Sequence, residues 1–217
     1  PEAAYQSLRK GVMDYDRRHG YRGAEAFVDL AATSSDQDEY LDEALQDVPD
    51  AGDLVPAIVL AASPSQVKVY RRGGEALTLT GDAIKFAAKM LDDKAPPLKR
   101  LRRGAVIRLQ KLEKNSWQVA QLPEVESAFV AADPSDGRIR ALVGGFDFNR
   151  NKFNHATQAW RQPGSSFKPF IYSASLEKGF SPSTIIEDEP IVIPASQTGS
   201  QAWEPHNYDG KYEGPMK

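Results

Sequence analysis

From Val55 to Leu122 the chain is cut into short runs that leave no room for a long helix. "VPAIVLAAS" ends at a Pro64-Ser65 turn, "QVKVYRR" ends at Gly73-Gly74, and "ALTLT" follows. "AVIRLQKL" and "WQVAQL" then flank a turn at Lys114-Asn115-Ser116. Each run is rich in β-branched residues, which pack well on a pleated surface, and is bounded by residues that let the backbone reverse. One stretch among them, "GDAIKFAAKML", has helical periodicity and reads as a helix capped by Asp82. Five short strands with one intervening helix in about 70 residues predict a small barrel of the OB type.

The segments on either side have a different character. "PEAAYQSLRKGVMDYDRRHG" places Tyr5, Leu8, Val12 and Tyr15 at helical spacing, with Pro1 suited to a first turn and Gly20 to a C-terminal stop. "TSSDQDEYLDEALQDVPDAGD" is acidic, and Tyr40, Leu41, Ala44 and Leu45 predict a short helix begun by a Ser/Asp cap. Its carboxylates lack the glycine that a calcium loop needs at its sharp turn, so a solvated helix face is the expectation. After Pro123-Glu124, "VESAFVAADPSDGRIRALVGG" predicts a hairpin, because Asp133-Pro134-Ser135-Asp136-Gly137 supplies the residues a tight reversal requires. A polar, Asn-rich loop follows Gly144-Gly145.

Composition excludes several classes of function. A net charge of -3 and a pI near 5.7 give no global attraction for nucleic acid. The local basic patch "KRLRRG", with Arg100, Arg102 and Arg103, sits in a Pro96-Pro97 loop without the aromatic residues on which bases stack. It reads as a solvated loop or a protein-docking patch. No cysteine is present, so disulfides and thiol nucleophiles are excluded. His19, His155 and His206 show no ligand spacing, and neither a metal nor a cofactor is expected. The longest uncharged apolar runs are far short of the roughly 20 residues that span a bilayer. The chain opens directly on a helical pattern without a signal peptide, and is expected to be a piece of something larger.

Ser-x-x-Lys occurs four times: Ser7/Lys10, Ser65/Lys68, Ser165/Lys168 and Ser175/Lys178. The first pair lies inside an amphipathic helix and reads as solvated surface. The second straddles a hairpin turn and enters a strand, where residues three apart face opposite sides. The fourth closes a helix at Gly179, where Lys178 suits the negative helix end. Ser165 differs. Pro163-Gly164 breaks any preceding structure, and Phe167, Phe170, Ile171 and Ala174 begin a helical pattern directly after it. The free N–H groups of a helix start favour a developing oxyanion, and Lys168 would lie one turn along the same face. A serine needs a base, and lysine serves when burial or nearby positive charge lowers its pKa. Phe167, Phe170 and the Trp160 segment would form the apolar wall. A plain helix cap accounts for Ser165 on spacing and position as well as a nucleophile does.

"FNHATQAWRQPGSSFKPFIYSASLEKGFSPSTIIEDEPI" resembles the segment around the active-site serine of bifunctional class A penicillin-binding proteins, whose signature includes Ser-x-x-Lys with later Ser-x-Asn and Lys-Thr-Gly elements. "VESAFVAADPSDGRIRALVGGFDF" is similar to the family's first transpeptidase strands, and "WEPHNYDGKYEGPM" matches downstream. "LRKGVMDYDRRHGYRG" resembles the helix that follows the glycosyltransferase domain in the 1A type, and the acidic stretch and barrel resemble, more loosely, that type's inserted OB-like domain.

The resemblance implies an α+β architecture. Residues 1–23 would be a linker helix, 24–124 an inserted OB-like barrel with an acidic helical segment, and 125–217 the N-terminal part of a serine transpeptidase (β-lactamase-like) domain. It implies Ser165 as acylated nucleophile, Lys168 as its base and the Ser165 N–H as half of an oxyanion hole. Peptidoglycan stem peptides would be the substrates, cross-linked 4,3 with loss of D-Ala, and β-lactams covalent inhibitors. Trp203, Asn207 and Tyr208 would line the cleft or, equally, form a structured loop. The implied location is the periplasmic side of an inner membrane, reached by an anchor outside this chain. The Ser-x-Asn and Lys-Thr-Gly elements are absent, so the remainder of the same protein is expected as a partner and the isolated chain is expected to be inactive. Two alternatives stand beside this: a serine β-lactamase-like hydrolase, and an OB-like module that docks a partner such as an outer-membrane lipoprotein activator through Arg100, Arg102 and Arg103.

Overall fold

The computed structural model describes residues 2–30, 37–112 and 116–217. These fall into two compact units, residues 1–160 and 161–217. The expected Pro1 turn, the Ser/Asp cap of the acidic helix and Lys114-Asn115 lie outside the described residues.

The first unit begins with helix α1, Glu2–Arg18, which buries Ala4, Leu8 and Val12 together with Arg9 and Asp16. Tyr15, expected on the apolar stripe, is exposed. Asp16 is buried in its place because Arg22 pairs with its carboxylate at 2.8 Å and the Gln121 amide donates to it at 2.7 Å. Ser7 and Lys10 both face solvent.

An antiparallel sheet forms the body. It contains β1 (Ala26–Phe27), β2 (Leu54–Ser63), β3 (Gln66–Arg71), β4 (Glu75–Thr80), β5 (Ala105–Lys111) and β6 (Trp117–Ala120), in the order β1-β5-β2-β3-β4 with β6 also paired to β5. Among the described residues this ladder is an open path rather than a closed ring of paired strands. β2 bends at a register shift between Val59 and Ala61. β2 and β5 read as nearly continuous apolar runs because both of their faces are covered, whereas β3 and β4 alternate and keep more of one face exposed. Ala57, Val59, Val69, Ile107 and Leu109 point into one core, while Ile58, Tyr70 and Val106 point the other way. The second face is covered by α2 (Gln37–Gln46), through Leu41 and Leu45. That helix is therefore more than a solvated surface. The Tyr70 hydroxyl donates to Asp42 Oδ1 at 3.0 Å, so one of the helix's acids also holds it to β3.

The first core is closed by the segment between β4 and β5. The single helix expected from Asp82 is two short pieces, α3 (Asp82–Lys85) and a 3-10 turn, Ala88–Met90. Asp82 is not the cap; Gly81 is, without a side-chain hydrogen bond. The 3-10 tightening keeps Ile84, Ala87 and Leu91 all in the core, at the cost of helical continuity. Gly104, at φ +85, then passes so close to Val28 that a Cβ would lie 2.2 Å from its carbonyl oxygen.

Leu8 and Val12 of α1 share a further cluster with Leu54, Ala120 and Phe146. Beyond it the expected hairpin is present as β7 (Phe129–Ala132) and β8 (Ile139–Val143), with Phe129 opposite Val143. Asp133 organises its turn by accepting from the Ser135 hydroxyl at 2.6 Å and N–H at 3.0 Å.

The second unit comprises a 3-10 turn at Gly164–Phe167, α4 (Lys168–Glu177), β9 (Ile186–Asp188), the short α5 (Ala195–Thr198) and β10 (Gly214–Met216). β9 and β10 pair antiparallel, with Ile186 opposite Met216.

Candidate active site

Ser165 lies in the 3-10 turn that leads into α4, not in the α-helix itself. Pro169 is accommodated in the first turn of α4, where its missing N–H breaks no helical bond. The difference from a simple helix start has a geometric consequence. In a 3-10 turn residues i and i+3 lie on one side, and Lys168 follows Ser165 at that spacing; among the described residues no hydrogen bond joins their side chains. The Lys168 N–H closes that turn by donating to the Ser165 carbonyl oxygen.

Neither the 3-10 turn nor α4 has a side-chain cap hydrogen bond, and the residue at the start of α4 is Phe167. The plain-cap account of Ser165 therefore has no hydrogen bond to rest on. Among the other Ser-x-x-Lys pairs, Lys10 is engaged by Asp14 one turn along α1. Ser175 donates back to the Ile171 carbonyl at 2.9 Å within α4. Ser65 sits in the β2–β3 turn, beside the Ser63 hydroxyl.

The apolar wall expected around Lys168 is not assembled within residues 161–217. Phe167 and Phe170 meet in a tilted pair 5.5 Å apart, yet Phe170 is 68% exposed and Lys168 itself faces solvent. Trp160, at 94% exposure, covers nothing. The stripe Phe167, Phe170, Ile171 and Ala174 is real as a pattern, but nothing in this unit buries it.

The downstream residues have structural work of their own. The Asn207 amide donates to both oxygens of Asp188 at 2.9 Å and to the Lys211 carbonyl at 2.8 Å. Asp188 also accepts from the Glu213 N–H, and these two donors hold its carboxyl below the usual carboxylate range, the Glu213 N–H contributing most. Asp188 carries no signal in the sequence, because it stands between Glu187 and Glu189 and nothing local distinguishes the acid that Asn207 and Glu213 select. Trp203 pairs with Ile193 through two backbone hydrogen bonds of 2.8 and 2.9 Å, and Tyr208 is fully exposed. No hydrogen bond joins any of the three to Ser165 among the described residues.

The basic loop of the first unit is also partly spent internally. Arg100 pairs with Asp93, Arg102 stacks 4.3 Å over the Phe27 ring, and Arg103 donates to the Leu60 carbonyl at 3.4 Å.

Residues 21–125 match the penicillin-binding protein OB-like domain, and residues 127–217 match the penicillin binding protein transpeptidase domain. Penicillin-binding protein 1A of Neisseria lactamica is 42% identical over 214 residues, which is 98% of this chain and 27% of that protein. The chain belongs to the penicillin-binding proteins of the 1A type. Penicillin-binding protein 1A of Escherichia coli K12 is 37% identical over the whole of this chain and 26% of its own length. The crystal structure of penicillin-binding protein 1A from Haemophilus influenzae covers 99% of this chain with a TM-score of 0.72 at 34% identity, over 30% of that chain. The chain thus spans about a quarter of the length of the curated 1A relatives. No helix among the described residues is long and apolar enough to cross a membrane.

Proposed function

We propose that this chain is part of a peptidoglycan D,D-transpeptidase in which Ser165 is acylated by the stem peptide. Lys168 removes the Ser165 proton, and Oγ attacks the carbonyl of the terminal D-Ala–D-Ala bond. The free amine of D-Ala leaves with a proton, and the amine of a second stem peptide then attacks the ester and releases Ser165. Donors at the start of the turn, the Ser165 N–H among them, stabilise the oxyanion. A β-lactam enters the same first step and stays on the serine. The reading carries with it the domain limits at 23/24 and 124/125 and a location on the periplasmic side of the inner membrane.

One observation supports this above the others. Ser165 makes no capping bond and stands one 3-10 turn from Lys168, inside a segment that matches the transpeptidase domain. The exposure of Lys168 fits a site completed by the remainder of a protein about four times this length.

The test is covalent labelling of the full-length protein with a fluorescent penicillin. Ser165→Ala is expected to abolish labelling, and Lys168→Ala to slow it by about a hundredfold or more, the usual loss of a general base. Wild-type labelling of Ser165→Ala would overturn the assignment.

A further inference from the structure

Helix α1 buries an arginine for which its apolar stripe gives no reason. Arg9 has only 6% of its side chain exposed, and its guanidinium reaches segments 44 and 137 residues away. Nη2 donates to the Ala51 carbonyl at 2.9 Å and to Asp53 Oδ1, at the entry to β2. Nη1 donates to the Phe146 carbonyl at 3.0 Å, just after β8, and to the Tyr5 hydroxyl at 3.2 Å. The guanidinium carbon also lies 4.0 Å from the centre of the Phe146 ring.

The seat is built for this side chain. A Cβ on Gly52 would lie 2.9 Å from Arg9 Cζ, and Gly52 adopts φ +63, so a larger residue would strain the backbone and displace the guanidinium. Asp53 is fixed in turn, because its second oxygen accepts from the Gln110 amide of β5 at 2.7 Å. The Gln110 oxygen accepts from Gln118 of β6 at 2.9 Å, and the Gln118 oxygen accepts from Arg17 of α1 at 3.2 Å. This path starts and ends on α1. On the other side, the Phe146 N–H donates to Glu126 Oε2 at 3.3 Å.

Arg9 precedes residue 21, where the OB-like match begins, and it contacts Ala51 and Asp53 within that match and Phe146 within the transpeptidase match. We propose that Arg9 is the joint coupling the OB-like domain to the start of the transpeptidase domain, so that displacement of the Ala51–Asp53 corner is felt at Phe146. A planar guanidinium cannot tilt toward one partner without giving up the other, and leaving a buried charge unpaired is costly. An aliphatic side chain in the same place would fill space without correlating the two sides. The inference rests on the contacts of Arg9 and is independent of the role of Ser165.

Hydrogen exchange on the full-length protein tests it through a mutant cycle. Asp53 is 44% exposed, and Asp53→Asn keeps its size, so the fold is expected to persist. The variant is expected to speed exchange about tenfold at the amides of Phe146, Asn151 and His155, which Asp53 does not touch. In an Arg9→Met background, Asp53→Asn is expected to add nothing at those amides, and Arg9→Lys, which keeps the charge but loses the fork, should give an intermediate response. Confinement of the Asp53→Asn effect to the neighbourhood of Ala51–Leu54 and Gln110 would overturn the proposal. So would an equal effect in both backgrounds, or a uniform rise at all amides.

Discussion

A methyl group on Gly104 would sit 2.2 Å from the Val28 carbonyl oxygen, and φ there is +85. Gly104→Ala therefore carries both a backbone penalty and a collision with a main-chain atom, in a residue whose N–H also donates to the Val59 carbonyl at 2.8 Å. We expect it to cost about 2 kcal/mol or more, read as a lowered midpoint in urea unfolding followed by tryptophan fluorescence. At the same scale, Ser165 stands out in the sequence as a candidate because a Pro-Gly break abuts an apolar periodicity. Arg9 was not legible. An arginine beside Leu8 on a helix looks like a solvated flank, and only the arrival of Ala51, Asp53 and Phe146 from far along the chain buries it.

The β7–β8 hairpin is the element whose sequence and structure agree most directly, since its turn depends on local chemistry alone. The Ser135 hydroxyl, then the Arg140 guanidinium and the Ser135 N–H, hold the Asp133 carboxyl at about 2, below the ordinary value of 3.8. A folded-state value below the unfolded one means that this interaction supports the hairpin fully above about pH 4. It is lost as the pH falls through about 2. An NMR titration of the Asp133 carboxyl is expected to show that low midpoint, and Ser135→Ala should move it upward; an unchanged midpoint in the variant would remove the hydroxyl as cause. Elements whose form depends on distant packing were read less well. The helix expected from Asp82 is broken because three apolar residues must all reach the sheet. The acidic helix α2 reads as a solvated face in sequence, yet Leu41 and Leu45 are sealed against strands that lie later in the chain.

Across the whole molecule burial is distributed unevenly. The sheet of the first unit is packed on both faces, whereas no residue from 161 to 217 is buried. A segment without a core opens locally at little cost, and proteases cut what opens. Limited proteolysis of the 217-residue chain is expected to cleave within residues 161–217 first and to leave the β2–β5 region intact. Equal protection of both units would contradict this. The same exposure accounts for the missing apolar wall around Lys168: a periodic pattern marks which face is apolar, and nothing within residues 161–217 covers it.

By itself the sequence determined the strand-rich middle, the hairpin and the candidate serine with its lysine, because turn chemistry and side-chain periodicity act over a few residues. Only the tertiary structure decided that both sheet faces are covered, that Ser165 lies in a 3-10 turn rather than an α-helix, and that Arg9 ties three separate segments. Those outcomes depend on which distant groups meet in space, and a buried charge or a tightened turn is stable only once its partners have arrived.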